Sequence, residues 1–206
     1  MIPQRMNNGM FYWEISRINY AEYTRLISMR IREKSDEDCG SYIMVLRDEK
    51  DRRNDSNSSV LENLIEFECL IKKAGIISIV FAAMYLESEA YTYLAHHFTD
   101  SFVNDHLDKL TPLSKWVAGV KMVTGESMNK GDIVYQSCDK LFKYRNKLVH
   151  NKSTRFVTDQ DALFELIDAR DKRFEEEVVN SQRAVRELAR YISQLHSENY
   201  VPVLNI

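Results

Sequence analysis

Chain-breaking residues are the scarcest element of this sequence. In 206 residues there are three prolines, Pro3, Pro112 and Pro202, and six glycines. A sheet protein of this length turns often, and each turn draws on Gly, Pro, Asn or Asp. Alternating apolar–polar runs are nearly absent, and apolar residues recur at helical spacing instead. These patterns predict an all-α fold, an up-and-down antiparallel helical bundle with long first and last core helices. Hydrophobic residues make up 44% of the chain, enough to bury a core and to set disorder aside. The expected organisation is an N-terminal helix and polar loop over 1–57, the bundle over 58–200 and a tail over 201–206.

The elements follow from local signals. Ile18, Tyr23, Leu26, Ile27 and Ile31 predict a first helix over about 18–35, ended by Gly40. "SYIMVL" at 41–46 suits either a strand or a helix, and "RDEKDRRNDSNSS" at 47–59 reads as a loop. Ser59 and Glu62 have capping-box spacing and predict a helix start, with helical pattern to about Phe98 and a weak interior point at Gly75. A short helix over 100–111 stops before Pro112. "LSKWVAGVKMVTG" follows as a helix with Gly125 as C-cap. The next helix starts near Asp132, with Ile133, Val134, Leu141, Leu148 and Val149 on its inner face. The last starts near Thr158, with Asp161 completing its cap. It continues to about Ser197 through Leu163, Leu166, Ile167, Phe174, Leu188, Ile192 and Leu195.

Cys39, Cys69 and Cys138 are few, odd in number and far apart, which fits a reducing cytoplasm better than a disulfide framework or a zinc site. The N-terminus lacks the apolar core of a secretory signal. The longest apolar run, Ala74 to Leu86, is shorter than the roughly 18–20 residues of a membrane span, so it reads as a buried helix and no membrane association is expected.

One segment departs from the average charge. The chain carries a net charge of -3, yet 140–155 contains no Asp or Glu and holds Lys140, Lys143, Arg145, Lys147, Lys152 and Arg155. Within it, "LFKYRNKLVHNKS" brings Arg145, Asn146 and His150 close together. Asn146 and His150, at i and i+4, share a helix face. Arg145 and His150 lie about 140° apart on an ideal helix. They meet only if the arginine bends, if the helix ends near His150, or if two copies of the helix pair across a two-fold axis. Such a cleft would suit a phosphodiester. A guanidinium offers a planar fork for phosphate oxygens, and an imidazole moves protons near neutral pH. Lysines would track the backbone. No metal or cofactor is required. A merely solvated basic helix face is the other reading of the same spacing.

The segment also resembles the signature of the HEPN superfamily: Arg, a polar residue, a few more residues, then His, late on an inner helix. Here it reads Arg145-Asn146-Lys147-Leu148-Val149-His150. "FAAMYLESEAYTYLAHHF" (81–98) is similar to the long acid-bearing helix of that group, and "LDKLTPLSKWVAGVKMVTG" (107–125) to a connector in its prokaryotic members. The resemblance covers about residues 60–155. It implies a helical bundle that forms a homodimer, with two motif helices making one cleft. It also implies metal-independent cleavage of RNA, as in toxins, phage-defence effectors and RNA-processing enzymes, or RNA or protein binding where catalysis has been lost. By the resemblance, Arg145 stabilises the phosphorane-like transition state and His150 acts as general acid or base. Asn146 orients a phosphate or His150, and Glu87 orients Arg145 or His150. Lys143, Lys147, Lys152 and Arg155 are the expected RNA contacts. An antitoxin or neighbouring-gene protein is a further implied partner. Some toxins of this group carry Tyr two residues after the His; this chain has Lys152, so silencing by modification of that Tyr is not expected.

Other groups read more plainly. His96 and His97 point about 100° apart on a helix and do not make a metal pair. Tyr85, Tyr91, Tyr93 and Trp116 fit core or interface positions better than base stacking. "RDKRFEEE" (170–177) reads as a solvated face with pairs such as Arg173 with Glu177.

Overall fold

The computed structural model describes residues 8–34, 42–46, 57–150 and 160–196. The architecture is an all-α bundle with one two-stranded ribbon attached. Its elements are α1 (Gly9–Met29), β1 (Arg30–Lys34), β2 (Tyr42–Leu46), α2 (Asn57–His97), α3 (Asp100–Phe102) leading into a π turn (Val103–Leu107), α4 (Pro112–Thr124), α5 (Ile133–Val149) and α6 (Gln160–Leu195). Cross-helix partners give the directions. Ser16 faces Ser78, Trp13 faces Tyr85 and Arg30 faces Glu68, so α1 runs antiparallel to α2. Asn180 faces Ser137 and Arg173 faces Tyr144, so α6 runs antiparallel to α5. Lys72 with Asp171, and Ser78 with Gln182, set α2 and α6 parallel. The four long helices therefore alternate down, up, down, up, as expected.

α1 begins and ends earlier than the expected 18–35. The stretch "FYW" starts it rather than preceding it, because Trp13 is buried with its ring 5.6 Å from Tyr85. At its other end the chain switches to extended backbone at Arg30. There β1 pairs antiparallel with β2, from Arg30 opposite Leu46 to Lys34 opposite Tyr42, so 42–46 is a strand. α2 is helical from Asn57, two residues before the Ser59 expected to cap it. Gly75 does not break this helix. An added Cβ there would lie 2.6 Å from Phe174 Cζ and 2.9 Å from Val178 Cγ2, so the glycine permits the close approach of α6. The expected helix over 100–111 is one α turn, capped by the Thr99 hydroxyl, and a π turn ending at Leu107. Pro112 opens α4, where its missing N–H costs nothing, and Gly125 closes it at φ 77°. The Thr158 cap expected for the last helix lies outside the described residues, as do Gly40 and Ser197.

The larger of two apolar clusters among the described residues runs through the bundle, and the smaller gathers Leu94, Ala95, Val103 and Leu107. Ile79, Ala82, Ala83 and Leu86 of α2 pack with Trp116 and Val120 of α4, Leu141 of α5 and Val185 and Leu188 of α6. The inner face of α5 is narrower than expected: Val134 and Leu141 are buried, but Ile133 and Val149 are exposed. Leu166 and Ile167 of α6 are exposed as well. A buried polar knot ties three helices. Gln182 Nε2 donates to the hydroxyls of Ser16 and Ser78, at 2.9 and 3.2 Å, and Ser16 donates to the Ser78 carbonyl at 2.8 Å. Every partner being satisfied, the knot fixes register without an orphaned group.

Among the described residues, the stretch Ile65–His97 is long and apolar enough, by length and composition, to cross a bilayer, and half of its most apolar part is buried in the bundle. The uninterrupted run 74–86 is shorter than this stretch, because isolated polar residues do not end an apolar one. Packing against α1, α4 and α6 accounts for much of that apolarity.

Three imidazoles meet where α2 and α6 end. The rings of His97 and His196 stack at 5.6 Å, His96 lies edge-on to His97, and Tyr93 Oη is 3.0 Å from His196 Nε2. Burial lowers the pKa of both His97 and His196, and for His97 the neighbouring His96 and His196 lower it further. The fold thus favours neutral rings. As pH falls below the ordinary value of about 6.5, the unfolded chain takes up protons first, and stability is lost. Thermal melts are expected to be flat above pH 7 and to fall below pH 6.5, with a shallower fall in His97→Gln/His196→Gln.

Candidate functional site

α5 carries the Arg–His segment, and its last turn explains the spacing. The helix ends at Val149. His150 is its C-cap, at φ −111° and ψ 48°, with its N–H donating to the Asn146 carbonyl at 2.9 Å. The helix thus ends at the histidine, one of the three conditions for Arg145 and His150 to meet. His150 itself is exposed. No hydrogen bond or ion pair joins it to Arg145 within one chain among the described residues.

Arg145 reaches across to α2. Its Nη2 donates to Glu87 Oε2 at 2.7 Å and its Nη1 to Asn146 Oδ1 at 3.1 Å. Its side chain is 22% exposed against 43% for Glu87, so the pair sits at the rim of the bundle rather than inside it. The Nε–H is buried without a hydrogen-bond partner. A guanidinium has five N–H donors, and two are used here. The carboxylate therefore holds the fork in place and leaves one donor on each Nη for a further acceptor. The resemblance implied that Glu87 orients Arg145 or His150, and the structure brings Glu87, Arg145 and Asn146 together.

The basic segment meets acids in space. Lys143 is 76% exposed and its Nζ donates to Asp139 Oδ2 at 2.7 Å, just outside the acid-free window; that bond raises the lysine pKa. Lys140 lies between two open depressions, one with Tyr135, Asp139 and Lys143, the other with Glu175, Glu176, Glu177 and Arg183 of α6. Lys147 is exposed. Lys152 and Arg155 lie outside the described residues.

The 170–177 run is more than a solvated face. Phe174 is buried, and Arg173 stands over the Tyr144 ring at 5.9 Å. Glu177 Oε2 is buried without a hydrogen-bond partner, and burial raises its pKa against the pull of Arg173 and Lys140. Burial likewise raises the Tyr144 phenol, with Glu177 adding to it. Cys138 is buried and its thiol is pushed up to about 12, which leaves it unsuited to nucleophilic attack.

Sequence reasoning missed one side of the site. An open depression of about 380 Å³ is lined by Asn8, Tyr12, Met84, Glu87, Ser88, Tyr91 and Lys115. Lys115 is buried, its Nζ 3.3 Å from Asp108 Oδ1. A lysine beside Trp116 in a largely apolar helix was the available signal. Tyr85, Tyr93 and Trp116 are buried, as expected of core aromatics, whereas Tyr91 is half-buried and reaches this depression. Among the described residues, no group of three or more His, Cys, Asp or Glu is arranged to hold a metal ion.

No family model matches this chain, and neither a curated protein nor a solved structure matches it.

Proposed function

We propose that this protein is a HEPN-like endoribonuclease of the cytoplasm that cleaves RNA phosphodiesters without a metal, in a cleft built from two copies of α5. The supporting observation is the Arg145 fork, held by Glu87 and Asn146 with one donor left on each Nη, on a helix whose C-cap is His150. In this reading the free Nη donors take non-bridging phosphate oxygens and stabilise the charge that grows on them. The ribose 2′-oxygen attacks phosphorus and its proton passes to a neutral imidazole. The bond to the 5′-oxygen breaks, and a protonated imidazole returns a proton to that oxygen. The products are a 2′,3′-cyclic phosphate and a 5′-hydroxyl. One chain supplies one His150, so a two-fold cleft would supply the base and the acid together. Lys147 and Lys143, with Lys152 and Arg155, would attract the backbone. A role as a toxin or defence effector, held by an antitoxin or neighbouring-gene protein, fits the same chemistry.

The test is RNA cleavage in EDTA. His150→Ala is expected to lower the rate by roughly 10²–10⁴-fold, the usual range for a lost general acid or base. An unchanged rate removes His150 from the mechanism. Glu87→Gln keeps the shape but weakens the charge-assisted bond to Arg145. A roughly 10-fold or greater loss of kcat/KM is expected from a bond of that kind.

A second reading has its own support. Arg145 is already paired with an acid, and no bond joins it to His150 within the chain. A non-catalytic module that binds RNA or a protein through this groove would have those features. It predicts salt-sensitive RNA binding with no product formed.

A further inference from the structure

We propose that the depression between the start of α1 and the middle of α2 is a nucleobase subsite, serving the nucleotide next to the phosphate held by Arg145; this rests on the RNA reading above. Glu87 is the common wall. One of its oxygens holds the Arg145 fork, and the same residue lines the depression. A base seated there would sit one carboxylate away from the guanidinium.

The lining suits a flat heterocycle better than it suits a phosphate or an aliphatic chain. Tyr12 and Tyr91 offer aromatic surface, and Met84 offers a polarisable thioether. Asn8 and Ser88 can each donate and accept, Lys115 donates and Glu87 accepts, so both kinds of base-edge group find a partner. The volume of about 380 Å³ falls at the lower end of the roughly 300–1,000 Å³ range of small-molecule pockets. The rings are partly fixed in advance. Tyr12 packs on Phe81 with ring centroids 6.0 Å apart, and the Tyr91 hydroxyl donates to Asp100 Oδ1 at 2.9 Å. Stacking on a held ring spends less ordering entropy than stacking on a free one.

The experiment is equilibrium binding of a fluorescent 2′-O-methyl RNA hexamer, which cannot be cleaved by its own 2′-oxygen. An abasic oligomer of equal charge is measured beside it at one salt concentration. Wild type is expected to bind the base-bearing hexamer more tightly by roughly tenfold, the scale of one stacked base. Tyr12→Leu, which keeps apolar packing on Phe81, is expected to erase that difference while leaving affinity for the abasic oligomer unchanged. Tyr12→Phe is expected to keep it. Equal affinity of wild type for the two oligomers overturns the proposal without need of a variant. An equal loss on both oligomers in Tyr12→Leu also overturns it, since that is a structural effect. Base-dependent binding through Tyr12 in a protein that cleaves no RNA would leave the subsite standing and remove only the catalytic reading.

Discussion

Arg145→Ala is expected to lower RNA cleavage by roughly 10²–10³-fold, the loss seen when one donor to a developing oxyanion is removed. The fold should survive. The side chain lies at the rim, and removing it leaves Glu87 and Asn146 able to turn to water, unlike the partner of a fully buried pair. Arg145→Lys should not restore the rate. An ammonium on a flexible stem cannot reach Glu87 and Asn146 as a planar fork and still present two donors outward. Single-turnover rates and thermal melts, taken together, check this. A lost rate with an unchanged melting temperature places the arginine in the chemistry, whereas rate and melting temperature falling together would place it in the scaffold.

The second large effect concerns stability. Trp116 is 2% exposed, and its Nε1–H donates to the Leu86 carbonyl at 3.0 Å, pinning α4 to the middle of α2. Its ring packs 5.5 Å from Tyr93, beside Gly119, where an added Cβ would lie 2.7 Å from Leu94 Cδ2. The surroundings are too tightly packed to collapse freely into the space left by an alanine. Trp116→Ala is expected to cost about 3–5 kcal/mol, through lost burial and a residual cavity. In a chain of this size that lowers the melting temperature by on the order of 10 °C. Trp116→Phe should recover most of the loss. Urea titration with the slope held constant measures the difference.

The sequence foretold the bundle more accurately than its edges. Pro112 and Gly125 delimit α4 because each acts through its own backbone, whatever packs around it. The start of α1 was hidden. Asn8, its N-cap, makes no side-chain cap bond, and "FYW" joins the helix through burial of Trp13 against Tyr85, which is a tertiary contact. The strand at 42–46 depends in the same way on a partner, residues 30–34, that helical spacing had assigned to the first helix. At the site, the proximity of Arg145 to Asn146 was legible from chain order, whereas the helix was expected to run on through the motif and instead ends at Val149, one of the alternatives left open for bringing Arg145 and His150 together. The distance between Arg145 and Glu87 was not, because it spans 58 positions and is set by how α5 lies on α2. The acid-free window misled in one respect. Charge along the chain is not charge in space, and Asp139 and the glutamates of α6 lie beside Lys140 and Lys143. Asn8, Tyr12 and Lys115 escaped notice for the same reason, since three helices bring them to one depression.

The reaction proposed for this cleft is attack of the ribose 2′-oxygen on the RNA phosphorus, with protein groups alone moving the protons. Its most direct measurement uses the wild-type protein in EDTA and two oligonucleotides of one sequence, one all-ribose and one with 2′-deoxyribose throughout. Cleavage of the first to 2′,3′-cyclic phosphate and 5′-hydroxyl ends, with the second left intact, is the result expected. No cleavage in EDTA, or equal cleavage of both strands, would contradict it.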